Sequence, residues 1–200
     1  STKKLDNTKI INHSKNIIEV NAHSVNRVTD SSARKELIGF LASNMFDVLM
    51  IKRNIKDDGL RQYHFKRGIG EDLYFLTESF YKQKNLSGFK HYISDFITED
   101  AEAIIRSGQK KNLIYEHMVP KNLYLSKIAS EALNGTLTEE MVYELFNKYL
   151  YVCTISKNSE NNMLPRTSMG LNWDKKDPFF RYKSAGIKFY PNIFNKLYFS

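Results

Sequence analysis

Hydrophobic residues recur at helical spacing along much of the chain. Leu37, Leu41 and Met45 form such a stripe behind the N-cap residue types at 30–32, so a helix is predicted over residues 33–52. Similar stripes, caps and stop signals predict further helices over 71–84, within 88–106, over 122–133, from Thr136 to about Tyr149, and from Pro178 to about Ala185. Helices therefore account for most of the regular structure that the pattern predicts.

Shorter segments have the alternation, or the β-branched and aromatic content, of strands. These are Tyr63–Lys66, Leu113–Tyr115 and Leu150–Ile155. The polar, Asn-rich segment 1–28 is consistent with an arm or a small strand pair. Together the pattern predicts an α+β protein that is mainly helical. A change of character near Gln109 predicts a helical N-terminal part over 1–108 and a second part over 109–200.

Composition limits the class of protein. The chain has 200 residues, of which 42% are hydrophobic, and this is enough for a core. No apolar run reaches the roughly 18 residues of a membrane span, so membrane insertion is not expected. The lysines near the start are not followed by an apolar stretch, so no signal peptide is expected. Cys153 is the single cysteine, which excludes an internal disulfide and cysteine-based zinc ligation within one chain and suits a cytoplasmic location.

Positive charge is concentrated in the last fifty residues. The whole chain carries +8, and residues 151–200 hold 8 Lys/Arg against 3 Asp/Glu, interleaved with aromatic residues. Such a surface binds nucleic acid by charge neutralisation and by base stacking. The candidate phosphate contacts are Lys157, Arg166, Arg181 and Lys183. The alternative is a small aromatic core with a solvated lysine rim.

The segment Leu113–Pro120, read LIYEHMVP, carries the clearest chemistry. An apolar strand ends in Glu116 and His117, and Pro120 then stops strand pairing. Hydrolysis of a phosphodiester needs a base that deprotonates water and a cation with its ligands, and an acid next to a histidine offers groups for both. Because successive side chains of a strand point to opposite faces, these two residues need a twist or bulge to converge. The alternative is that the dipeptide simply ends a strand, with His117 hydrogen-bonded at a surface.

The same Glu-His-Met-Val-Pro segment resembles the end of the first strand of the His-Me finger nucleases, also called HNH or ββα-metal nucleases. The resemblance implies a small ββα-metal-like catalytic unit, with Leu150–Ile155 as its second strand and residues 159–164 as the start of its helix. It also implies His117 as general base and Glu116 as a ligand for Mg²⁺ or Mn²⁺. The other implied roles, a metal ligand on the helix and an asparagine that orients the histidine, have the candidates Glu160, Asn161 or Asn162 and Asn122 or Asn147.

The expected function is metal-dependent endonucleolytic cleavage, with double-stranded DNA as the substrate that the resemblance implies. A restriction-type enzyme would use residues 1–108 to read the duplex, and a homodimer is compatible with that role. The nuclease domain of a bacterial toxin fits the same features. Two other classes stay open: a non-catalytic nucleic-acid-binding protein, which would not need His117, and a helical interaction protein whose basic charge has no nucleic-acid partner.

Overall fold

The computed structural model describes residues 25–86 and 88–200. Most of the N-terminal segment for which an arm or a strand pair is predicted therefore lies outside the described residues. None of the helices in the described part combines the length and the apolar character that a bilayer crossing requires.

Helices make up most of the described chain. Along the sequence they are α1 (Asn26–Thr29), α2 (Ser32–Lys52), α3 (Asp58–Tyr63), α4 (Ile69–Gln83), α5 (Glu99–Arg106), α6 (Asn122–Asn134), α7 (Glu139–Tyr149) and α8 (Phe180–Ala185). A π-helix, His64–Gly68, joins α3 to α4, and single 3₁₀ turns occupy Lys90–Tyr92 and Asn161–Met163.

Short strands of the described chain form one mixed sheet. They are β1 (Phe96–Thr98), β2 (Leu113–His117), β3 (Val152–Ser156) and β4 (Phe189–Pro191), and their order across the sheet is β2-β3-β1-β4. β2 pairs antiparallel with β3, β3 lies parallel to β1, and β4 is antiparallel to β1. The predicted class, α+β and mainly helical, is confirmed.

Helices α2 and α7 begin at side-chain caps. α2 buries the hydrophobic stripe that predicts it, whereas α7 buries Val142 and Phe146 instead of the predicted stripe. The Ser31 hydroxyl oxygen accepts hydrogen bonds from two N–H groups in the first turn of α2, at 3.2 and 3.4 Å. At the start of α7, the Thr138 hydroxyl oxygen accepts from the Met141 N–H at 3.1 Å. The cap of α7 therefore lies two residues beyond the predicted cap at Thr136, because Thr136 bonds to the end of α6 instead.

Hydrophobic side chains pack on both faces of the sheet. The larger core lies among α2, α4, α6 and α7, and Tyr115 of β2 packs against it. On the opposite face, Phe96 of β1 and Cys153 of β3 pack with Phe179 and Tyr182 in a smaller core. Side chains of the strands therefore alternate between two different environments.

The predicted boundary at residue 108 does not separate two structural units. β1 precedes this boundary, yet it pairs with β3 and β4, which follow it. The larger core likewise combines α2 and α4 with α6 and α7. Residues 1–108 and 109–200 therefore do not fold around separate cores in the part of the chain that the structure describes.

Some local predictions are wrong. Tyr63–Lys66 is helical rather than extended, because Phe65 and Ile69, four residues apart, are buried on one helical face. β1 and β4 were not predicted, since three residues are too few to show the alternation of a strand. After β3 the chain forms one 3₁₀ turn, Asn161–Met163, in place of the α-helix that a ββα unit requires.

Arg34 of α2 is buried, with 1% of its surface exposed, and it joins α2 to the end of α7. Its guanidinium donates to the carbonyls of Leu150 at 2.9 Å, Asn147 at 3.2 Å and Phe146 at 3.3 Å. The Asn147 carbonyl is one of those that a helix leaves without a backbone partner at its C-terminus, whereas the Phe146 carbonyl also accepts from the Leu150 N–H at 2.9 Å. The guanidinium carbon also lies 3.7 Å from the centroid of the Tyr151 ring.

We expect Arg34→Met to lower the free energy of unfolding by about 2–4 kcal/mol, because buried carbonyls lose their donors. Urea unfolding followed by circular dichroism measures the change. Lys35→Met, on the exposed side of the same helix, is the control and should change the value by less than about 0.5 kcal/mol. Similar small losses in both variants would show that Arg34 does not stabilise the helix pair.

Candidate functional site

β2 ends at the acid-histidine dipeptide, and its pairing is regular to the last residue. Glu116 lies opposite Cys153 and His117 lies opposite Val152, in an unbroken antiparallel register. In such a strand, adjacent side chains point to opposite faces of the sheet. Glu116 faces the smaller core and His117 faces the helical side. The convergence of acid and base that the nuclease interpretation requires therefore does not occur.

Glu116 is held in a buried ion pair. Its carboxylate accepts hydrogen bonds from the Arg181 guanidinium and from the Tyr182 hydroxyl, both on α8. Arg181 is 2% exposed and also donates to the carbonyls of His117 at 2.6 Å and Met118 at 3.2 Å. Burial raises the pKa of Glu116, while the charge of Arg181 and the two hydrogen bonds oppose that rise. Both carboxylate oxygens are thus engaged by protein partners.

Two of the predicted phosphate contacts are engaged within the protein. The prediction for Arg181 is wrong, because its buried guanidinium neutralises the acid of β2 and is not presented to a ligand. Lys183 pairs with Asp177 at 2.8 Å on the surface, in a contact of the kind that salt weakens. Lys157 and Arg166 are exposed, and their contact with phosphate stays a prediction.

The residues predicted to bind a metal have other partners or lie apart. The Glu160 carboxylate is buried and accepts from the Thr98 hydroxyl at 2.6 Å and the Ser156 N–H at 2.9 Å. Asn162 is exposed on its 3₁₀ turn. Across the described part of the chain, no three His, Cys, Asp or Glu side chains form a group that could hold a metal ion. The donor set expected for Mg²⁺ or Mn²⁺ therefore does not fit this arrangement.

The asparagine predicted to orient His117 does not contact it. Asn122 starts α6, and its side-chain amide donates to the Thr167 carbonyl at 3.2 Å. Asn147, the other candidate, is exposed near the end of α7. The His117 carbonyl accepts instead from the buried Arg181.

On the helical side of the sheet, His117 opens into a cleft between β2 and α4. We call it the His117 cleft, and its volume is about 260 Å³. Its polar and ionisable lining residues are Glu71, Tyr74, Lys90, Tyr115, His117 and Lys121. Lysines thus outnumber carboxylates around the histidine.

Aromatic rings form a row along the His117 cleft. Tyr74 meets Tyr115 edge to face with ring centroids 5.9 Å apart, and Tyr115 meets His117 in the same way at 5.8 Å. The Lys90 Nζ lies 4.9 Å from the centroid of the Tyr74 ring and 5.1 Å from that of Tyr115. These cation–π contacts hold the charge of Lys90 close to the histidine.

Burial, together with nearby positive charges, keeps His117 neutral. Burial lowers the pKa of His117 to about 3, and the charges of Lys121, Lys90 and Arg181 add to this effect. Burial also lowers the pKa of Lys121, as does the charge of Lys90, while Glu71 opposes the change. At neutral pH the cleft therefore combines an uncharged imidazole with ammonium groups.

The Nδ1 atom of His117 is buried and has no hydrogen-bond partner among the described residues. Buried polar atoms nearly always have a partner, so an unpartnered one beside a cleft indicates a position for a ligand or a water molecule. The ring also borders an internal cavity of about 20 Å³, which has room for one water molecule. The alternative interpretation, a histidine hydrogen-bonded at the protein surface, does not describe this side chain.

A wider groove of about 680 Å³ adjoins the His117 cleft and lies between α6 on one side and the π-helix and the start of α4 on the other. Gly70 and Lys121 line both the cleft and the groove. A Cβ at Gly70 would lie 3.1 Å from the Lys121 Nζ, so the glycine leaves space for that ammonium group. Lys66 and Arg67 line the groove beyond this junction.

Comparison of the chain with protein-family models, with curated proteins and with solved structures gave no match. The resemblance of the LIYEHMVP segment to the His-Me finger nucleases therefore stays a prediction.

The lysines of the cleft were not predicted as site residues. Lys121 follows Pro120 directly, and its position just beyond the acid-histidine segment was a usable signal. Lys90 lies on a 3₁₀ turn before β1, far from His117 in sequence, and no spacing links the two. The fold alone brings Lys90 to the histidine.

A double-mutant cycle tests the buried ion pair. Glu116→Gln and Arg181→Met should each lower the free energy of unfolding by about 3–5 kcal/mol, because each change leaves the other group buried without its partner. The double variant should lose less than the sum of the two. Urea unfolding measures all four proteins, and Lys183→Met on the exposed side of α8 is the control. Strictly additive losses would contradict a coupled pair.

A second prediction concerns the titration of His117, measured by NMR of the assigned ring protons. We expect no inflection near pH 6.5, the ordinary histidine value, because the folded ring stays neutral until the pH approaches its lowered pKa. In the unfolded chain the ring takes up a proton below about pH 6.5, so this group destabilises the fold as the pH falls. An inflection at or above pH 6.5 would contradict the charge distribution of the cleft.

Proposed function

We propose that the protein cleaves phosphodiester bonds of nucleic acid in the His117 cleft. The supporting observation is the uncharged imidazole beside Lys90 and Lys121. A phosphodiester carries a negative charge that ammonium groups attract, and a neutral imidazole can accept a proton during the reaction. The net charge of +8 attracts a polyanion to the protein as a whole.

In the proposed reaction, a water molecule attacks phosphorus while the His117 imidazole accepts one of its protons. The bond from phosphorus to the leaving oxygen breaks, and both electrons stay on that oxygen. The Lys121 ammonium donates a proton to it, since its lowered pKa makes it a stronger acid than an ordinary lysine. Lys90 offsets the negative charge of the phosphoryl oxygens. Proton exchange with solvent then restores both side chains.

Binding of the substrate strengthens the base. A pKa of about 3 makes the imidazole of the free protein a weak proton acceptor. A phosphodiester bound beside Lys90 and Lys121 offsets two of the charges that lower this pKa, so the pKa of His117 rises in the complex. The histidine is therefore a better base where a substrate is bound than in the empty cleft.

The predicted metal ligands have no step in this reaction. Glu116 is bonded to Arg181 and Tyr182, and Glu160 is bonded to Thr98. We assign no step to a divalent cation, because these donors are engaged and do not form a ligand set.

The test is cleavage of labelled single-stranded and duplex RNA and DNA, each with Mg²⁺ and with a chelator. His117→Gln should slow cleavage by about 10²- to 10⁴-fold, because water must then lose its proton without a positioned acceptor. His64→Gln is a matched control. His64 is also half-buried and also has a buried Nδ1 without a partner among the described residues, but it lies outside the cleft.

Equal rates for His117→Gln and the wild type would contradict the proposed function. If neither protein cleaves and both bind nucleic acid with steep salt dependence, the same lysines support the second function, a non-catalytic nucleic-acid-binding protein. Absence of salt-dependent binding would favour a helical interaction protein.

A further inference from the structure

We propose, on the basis of the function above, that the groove beside the His117 cleft binds a single strand of nucleic acid and that an unpaired base stacks on Phe75. The groove lies between the π-helix, the start of α4, and α6, and it meets the cleft at Gly70 and Lys121. The substrate is thus single-stranded, in contrast to the duplex DNA that the sequence resemblance implies.

Unpaired cations follow the groove into the cleft. Lys66 and Arg67 are exposed on the π-helix, and they form no ion pair with any described residue. Lys90 and Lys121 in the cleft likewise form no ion pair with any described residue. Of the described residues that line the two spaces, Glu71 alone carries a carboxylate. This continuous excess of positive charge matches a sugar-phosphate backbone.

The wall of the groove between these cations is apolar. Ile69 of α4 and Leu125 and Leu133 of α6 line it, and Ser126 and Ser130 add hydroxyl groups. A duplex keeps its bases stacked and presents mainly phosphates and base edges. A single strand exposes the faces of its bases, which gain from contact with apolar and aromatic surface. The lining therefore favours an unpaired strand.

Phe75 provides an exposed aromatic ring in the lining of the cleft. It lines the cleft and is 60% exposed, although phenylalanine is commonly buried. Its ring centroid lies 6.1 Å from that of Tyr74, which is part of the aromatic row beside His117. Proteins that bind single strands combine a basic groove with exposed rings on which bases stack. Phe75 and the groove supply both parts.

Charge reversal tests whether nucleic acid binds in this groove or at Lys157 and Arg166, which the sequence predicts as phosphate contacts. The double variant Lys66→Glu/Arg67→Glu changes the groove, and Lys157→Glu/Arg166→Glu is the control with the same change of net charge on exposed side chains. Fluorescence anisotropy with oligouridylate, oligothymidylate and a duplex, over a range of salt concentrations, gives the affinities. The groove variant should weaken single-strand binding and flatten the slope of log K against log salt by about 1.4, or ~0.7 for each lost phosphate contact. The control should change the affinity and the slope by much less than the groove variant does, because its side chains lie outside the groove.

Removal of the ring tests base stacking. Phe75→Ala should weaken single-strand binding by about 5- to 150-fold, the loss of one base–aromatic stack, and Phe75→Trp should restore it. Leu171→Ala removes another exposed apolar side chain, 89% exposed, and should have no effect.

A dinucleotide is too short to fill the groove, so its cleavage tests the proposed function independently of binding in the groove. Groove variants that cleave a dinucleotide at the wild-type rate but bind long single strands weakly would support the inference. If the protein cleaves no substrate but binds single strands in a way that depends on the groove residues, the inference would be supported and the proposed function would fail. Tighter binding of the duplex, or equal effects of the groove and control variants, would overturn the inference even where His117-dependent cleavage holds.

Discussion

The ion pair between Glu116 and Arg181 fixes the end of β2, and the layout of the site follows from it. The guanidinium approaches from α8, bonds the carboxylate, and also bonds the carbonyls of His117 and Met118. A strand held at these points stays regular, and a regular strand turns adjacent side chains to opposite faces. The acid and the histidine, which are neighbours in sequence, are therefore separated by the sheet itself. Each takes its chemistry from the layer that it faces.

The two faces differ in how their charges are balanced. On the side of Glu116 the acid and the arginine neutralise each other, and each carboxylate oxygen has a protein partner. On the side of His117 the ammonium groups of Lys90 and Lys121 lack carboxylate partners among the described residues. Burial lowers the pKa of the imidazole, and these charges lower it further. A negatively charged ligand relieves this imbalance, and it makes the histidine more basic as it does so. The position of unpaired charge thus indicates the site more clearly than the total charge of the chain.

The long helices could be predicted because their buried stripes repeat over several turns, as Leu37, Leu41 and Met45 do in α2. β1 and β4 could not, since three residues carry no measurable period and are placed by pairing with β3 and β1. The site was predictable only in part. His117 stands out beside an acid and a proline, but the burial of Arg181 depends on the packing of α8 beneath β2, which has no periodic signal. The role of Lys90 depends on tertiary contacts alone.

A crystal structure with a non-cleavable single-stranded dinucleotide and Mn²⁺ would test most directly whether the two faces have separate roles. We expect the bridging phosphate to lie among Lys90, Lys121 and His117, and Glu116 to keep its bonds to Arg181. Mn²⁺ bound to Glu116, with Arg181 displaced and the phosphate beside the metal, would contradict this separation of roles. That result would place the chemistry on the opposite face of the sheet.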